Sequence, residues 1–132
     1  MIKREQQFTT LFQKWVRSVY MKKKNFCAFA FEIKHTGSKD YLNFNEVVEH
    51  QVNSLMAVNS QGLVYKISDS GIGYKCFDGF CMKSCPAYVV IKYSTFFVLI
   101  DINTFVLEKS RSKRKSLTAI RAKEIAHLIV HM

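Results

Sequence analysis

The sequence predicts an α/β domain, a mixed β-sheet flanked by helices, in the order α-β-α-β-β-β-β-α. Three observations carry that prediction. Apolar residues recur at helical spacing near the N-terminus, strand-like aromatic and β-branched runs bounded by turn residues follow, and helical spacing returns at the end. At 132 residues the chain has the length of one domain. Eleven Phe within an apolar content of 48% can fill a core, and one Pro with five Gly argues against low complexity.

The first helix runs from Ile2 to Tyr20, with Phe8, Leu11, Phe12, Trp15, Val16 and Val19 at steps of three and four. Glu5, one turn before Phe8, sits at the edge of that stripe. Lys22, Lys23 and Lys24 put cations near the negative pole of the helix, and Asn25 is its expected stop. A strand from Cys27 to Lys34 follows. Side chains alternate across a strand, so Phe29, Phe31 and Ile33 share one face, and Ala28, Ala30, Glu32 and Lys34 the other. After a polar turn, His35 to Asp40, a second helix is expected from Asn43 or Phe44 to Val58. Gln51 interrupts its inward stripe of Phe44, Val48 and Leu55.

Strands are then expected at Leu63 to Ile67, around Phe77 to Met82, and in a hairpin of Ala87 to Tyr93 with Thr95 to Ile102. The second hairpin strand is apolar throughout, which suits a strand buried on both faces. Lys109 to Ser116 reads as a basic loop. A last helix is expected from Leu117 to about His131, its stripe made by Ile120, Ile125, Leu128 and Ile129.

A net charge of +10 is large for this length. Uncompensated cations repel one another, and a polyanion relieves that repulsion. Nucleic acid is the commonest such partner, because neutralising phosphates releases condensed counterions. No apolar run reaches the roughly 18 to 20 residues of a membrane span, and no signal-peptide core follows the N-terminus. The expected setting is intracellular or cytoplasmic, with no membrane. Cys27, Cys76, Cys81 and Cys85 lack knuckle spacing and read as buried thiols rather than zinc ligands.

The chemistry centres on Glu32-Ile33-Lys34. Residues i and i+2 on a strand project the same way, about 6.5 to 7 Å apart. A carboxylate there suits Mg²⁺ (or Mn²⁺), a hard ion that takes oxygen ligands, and the lysine beside it suits charge building on a phosphoryl group. The alanines before Glu32 leave room for a ligand. Gln51 is an inward amide that needs a partner, either backbone or a catalytic lysine, water or phosphate.

Three stretches, Ala30-Phe31-Glu32-Ile33-Lys34-His35-Thr36, Glu49-His50-Gln51 with Leu55, and Phe77-Asp78-Gly79-Phe80, follow a helix that bears Glu5. Together they resemble the PD-(D/E)xK nuclease superfamily, particularly its Holliday-junction-resolvase-like members. The resemblance spans roughly residues 5 to 82. It implies a restriction-endonuclease-like core and Mg²⁺-dependent cleavage of DNA, with branched DNA as a candidate substrate, by a homodimer. It places Glu32, Lys34, Asp78 and Gln51 in the catalytic site. Asp78, Glu32 and the Ile33 carbonyl would hold the metal, with Glu5 as a further acid and Asp69 in reserve.

One feature departs from the family. Its metal-binding aspartate usually precedes the E-x-K strand, whereas no Asp here comes before Asp40. A permuted motif order is therefore required, with the aspartate supplied by a later strand. Asp78 meets that need best, although Cys76-Phe77-Asp78 stands where the family has Pro-Asp, so the Pro is missing.

The basic segment, with Arg111, Lys113, Arg114 and Lys115, is expected to grip phosphates together with Lys22, Lys23 and Lys24. Two-fold symmetric cutting calls for a dimer, for which the first helix and Thr95 to Ile102 are the candidate interface. The competing reading is a non-catalytic basic module that binds nucleic acid. DNA and RNA are not distinguished by these residues.

Overall fold

In a computed structural model that describes residues 2–24, 28–68 and 75–132, the chain is α/β with a mixed sheet flanked by helices, as expected. Helix α1 (Ile2–Trp15) runs through a π-helical turn, Val16–Tyr20, into a short α2 (Met21–Lys24). Strands β1 (Ala30–His35) and β2 (Tyr41–Asn43) precede a 3-10 turn, Phe44–Glu46, and α3 (Glu49–Gln61). Next come β3 (Leu63–Lys66), β4 (Gly79–Met82), β5 (Ala87–Lys92) and β6 (Phe96–Asp101). The chain closes with α4 (Ile102–Arg111), β7 (Ser116–Thr118), α5 (Ala119–Ile125) and β8 (Leu128–His131).

Four strands make the main sheet in the order β1-β5-β6-β8. β1 pairs with β5 in parallel, while β5–β6 and β6–β8 are antiparallel. Two short antiparallel pairs, β2–β7 and β3–β4, stand beside it. The alternation expected in β1 holds. Phe29, Phe31 and Ile33 join Tyr88, Val90, Phe97 and Leu99 in a core closed by Phe8, Phe12 and Tyr20 of the first helical segment. On the opposite face Ala30, Val89, Val98 and Ile100 pack with Val52 and Leu55 of α3 and Phe105 of α4. The inward residue near the end of the first helix is Tyr20 rather than Val19, which is exposed. A π turn adds a residue per turn and so rotates the side chains that follow it.

The largest departure is C-terminal. The expected helix from Leu117 to His131 is instead β7, α5 and β8. Thr118 caps α5, its hydroxyl accepting from the Arg121 N–H at 3.2 Å. Leu128–His131 then pairs along β6, where a β-branched run fits better than in a helix. Ile120, assigned to the inward stripe, is 78% exposed, and Ala122 is the buried residue.

The segment after β6 is the helix α4, which buries Ile102 and Phe105 at a step of three. Lys109 and Arg111 therefore belong to its last turn, where cations suit the dipole, and only the residues after Arg111 form the basic loop. The second helix also starts later than expected, at Glu49. β6 is buried from Phe96 to Ile100 between β5 and β8. It cannot supply a dimer interface, which corrects that expectation.

Candidate active site

Glu32 and Lys34 project from the α3 face of β1, and Lys34 Nζ lies 3.5 Å from Glu32 Oε2. Their side chains keep only 29% and 17% of their exposure. The pair is thus half-withdrawn from water, where its field is screened less than on an open surface. Ala30, the preceding residue on that face, packs against the core.

The backbone adds a donor. Ala30 N–H bonds to the Pro86 carbonyl and Thr36 N–H to the Lys92 carbonyl. Residues of even number in β1 therefore turn their peptide groups toward β5. Strand alternation turns those of Ile33 the other way, and β1 is an edge strand of this sheet. The Ile33 carbonyl thus faces the open edge beside Glu32. A carboxylate and a carbonyl are both hard oxygen donors of the kind Mg²⁺ takes.

The remaining acids are elsewhere. Asp78 immediately precedes β4, and its carboxylate is 90% exposed and paired with Lys75 at 3.1 Å. It lines a cleft with Tyr65, Lys66 and Phe80, all from the β3–β4 segment, and with no residue of β1. Asp69 lies outside the described residues. Asp101 faces away from Glu32, because its registry runs through Tyr88 to Phe31 on the α1 side of the sheet. Its Oδ1 is buried and accepts no hydrogen bond among the described residues. Glu5 is half-buried on α1, the helix that covers the face opposite Glu32. No three His, Cys, Asp or Glu side chains converge to hold a metal among the described residues. The donors at Glu32 fit one edge of a divalent ion's shell. Cys76 and Cys81, expected to be buried, are exposed, because they belong to the β3–β4 segment outside the main sheet.

Gln51 serves its own helix. Its Oε1 accepts from the Val48 N–H at 3.2 Å, meeting one of the unsatisfied donors at the start of α3. Its oxygen thus takes the backbone partner, one of the alternatives open in the sequence, rather than Lys34.

At the end of β1 the structure adds groups that spacing did not reveal. His35 Nδ1 accepts from the Gly37 N–H at 2.8 Å, and the ring packs edge-on against Phe8. Burial, followed by the charges of Lys92 and Arg4, holds the imidazole below its ordinary pKa. Lys92, directly across from His35, is itself lowered by burial. Its ammonium donates to the carbonyls of Tyr93 and Ser94.

Arg111, Lys113, Arg114 and Lys115 are all exposed, and none is in an ion pair among the described residues. Arg121 grips Glu108 with two hydrogen bonds, at 2.8 and 3.0 Å, which ties α5 to α4 beside this loop. Lys22 is exposed, and Lys23 and Lys24 lie with it in α2. No helix among the described residues is long and apolar enough to cross a membrane. In comparisons with known proteins, no family model, curated protein or solved structure matches the chain.

Proposed function

We propose that this chain is a metal-dependent endonuclease that hydrolyses phosphodiester bonds in DNA, with Glu32 and Lys34 at its catalytic centre. One observation carries the reading: an acid and a base, paired and half-buried, share one face of an edge strand beside a backbone carbonyl turned toward the sheet's edge. The Glu32 carboxylate and the Ile33 carbonyl would hold Mg²⁺ (or Mn²⁺). The ion, when bound, supplies an acidified water and polarises a phosphoryl oxygen. Lys34 then stands beside the phosphate and offsets the charge that builds on it. Asp69, the reserve acid, is the proposed second carboxylate, because Asp78 lies in a cleft without any residue of β1. The likeness to resolvases suggests branched DNA as the substrate and a homodimer as the working unit.

The exposed cations from Arg111 to Lys115 support DNA as the partner, because phosphate contacts give affinity without sequence choice. A second reading, a basic nucleic-acid-binding module without catalysis, is favoured by Asp78 lying in its own cleft. Incubating the purified chain and Mg²⁺ with branched, flapped and plain duplex DNA separates the two. Cleavage supports the nuclease, and binding without cleavage supports the module.

A further inference from the structure

The β3–β4 pair forms a ribbon separate from the four-stranded sheet. Tyr65 and Phe80 are opposite each other across it, with ring centroids 5.7 Å apart and planes inclined by 30°. Both rings are open to solvent, Tyr65 at 53% and Phe80 at 43%. Exposed apolar surface gathered in one place marks a site of interaction.

The backbone holds the rings in this position. Gly79 passes so close to the Tyr65 carbonyl that any Cβ would collide with it. Gly62, at a φ of 85°, takes a conformation that favours glycine, and a Cβ there would strike the Met82 carbonyl. Both ends of the ribbon are thus fixed by residues without side chains.

The surrounding charge selects the partner. Lys66, next to Tyr65, is an exposed cation. The rings line one open cleft of about 540 Å³ with Lys66, Lys75 and Asp78, and the last two are paired with each other at 3.1 Å. Aromatic rings flanked by cations are what a single nucleic-acid strand requires, because every base has a π face and every link a phosphate. Bases in an intact duplex are already stacked on one another and turned inward.

We infer that Tyr65 and Phe80 form a stacking platform for unpaired bases, with Lys66 holding an adjoining phosphate. The inference rests on the nucleic-acid reading above and adds to it a preference for gapped, flapped or branched sites.

The test compares parent and variants by fluorescence anisotropy on a labelled single strand and on a blunt duplex of the same sequence. The Tyr65→Leu/Phe80→Leu variant keeps apolar residues in the ribbon and removes both rings. It is expected to lose at least about tenfold in affinity for the single strand and much less for the duplex. Tyr65→Phe should bind as the parent does. Lys66→Ser, at an exposed position, should weaken single-strand binding and lower its salt dependence even if the leucine variant folds poorly. Unchanged single-strand affinity in the leucine and serine variants overturns the platform. A parent that binds duplex but not single strands overturns the platform and leaves the nuclease reading standing. A parent that binds neither overturns both. Loss of self-association, or of binding to anionic vesicles, without a change in single-strand affinity would assign the rings to another partner and likewise overturn the platform.

Discussion

Lys34 Nζ stands 3.5 Å from Glu32 Oε2 on the α3 face of β1, two residues apart on an edge strand. Lys34→Ala should therefore remove most of the Mg²⁺-dependent cleavage while leaving Mn²⁺ binding, measured by titration calorimetry, close to that of the parent. Lys34→Arg should restore charge but little rate, because a planar fork replaces a compact ammonium. Full cleavage by Lys34→Ala would remove the lysine from the chemistry.

Gln51→Ala should act on stability. Losing the bond to the Val48 N–H frees a donor at the start of α3, a change worth about 1 kcal/mol by analogy with other helix caps. Thermal unfolding should show a lower midpoint, and the rate of cleavage by the folded fraction should be unchanged. A large fall in rate with an unaltered midpoint would return Gln51 to the catalytic site.

Changing Arg111, Lys113, Arg114 and Lys115 to Ser should flatten the dependence of binding on salt. Each phosphate neutralised on duplex DNA contributes a slope of about 0.9, so several units should disappear if these side chains all bind phosphate. Affinity should fall similarly on all sequences. An unchanged slope would move the DNA contact to Lys22 and its neighbours or to another face.

Glu108 predicts a pH dependence of folding. Hydrogen bonds from Arg121 hold its carboxyl below the ordinary value of 4.5, against the opposing effect of burial. A group lowered in the folded state contributes its stability in full above that ordinary value. The contribution is lost as pH falls from there through the lowered folded value. Glu108→Gln should therefore destabilise the protein at neutral pH and make its acid unfolding less steep, as followed by circular dichroism. Identical acid limbs would show that the pair contributes nothing.

Phe12→Ala tests the packing of the first helix. Phe12 has no exposed surface and meets the rings of Phe31 and Phe97. Truncating a ring in such a core costs about 3 to 5 kcal/mol. Denaturant unfolding should show it, and a loss below about 1 kcal/mol would mean that the helix is held elsewhere.

Much of this fold was legible in the sequence where one periodicity ruled. The period of two in β1 placed Glu32 and Lys34 on one face and Phe29, Phe31 and Ile33 on the other. The buried run of β6 likewise announced a central strand. Legibility failed where local and long-range demands differed. Leu128 to Val130 suits either helix or strand by composition, and only the open edge of β6 decides for a strand. No helical pattern stands out between β6 and the basic segment, but Ile102 and Phe105 find a core that makes the stretch helical. The candidate site was legible to the same extent. Strand alternation reveals which side chains share a face but not which distant carboxylate comes to meet them, so Asp78 could be assigned only by its neighbours.

Glu32→Ala compared with the parent, on branched and linear DNA with and without Mg²⁺, bears most directly on the proposed chemistry. The parent should cleave only with the metal. Glu32→Ala should fail to cleave while binding DNA at least as tightly, because a negative charge facing phosphate has gone. Cleavage by Glu32→Ala at the parent's rate, under the same metal and salt, would contradict a catalytic centre at this carboxylate.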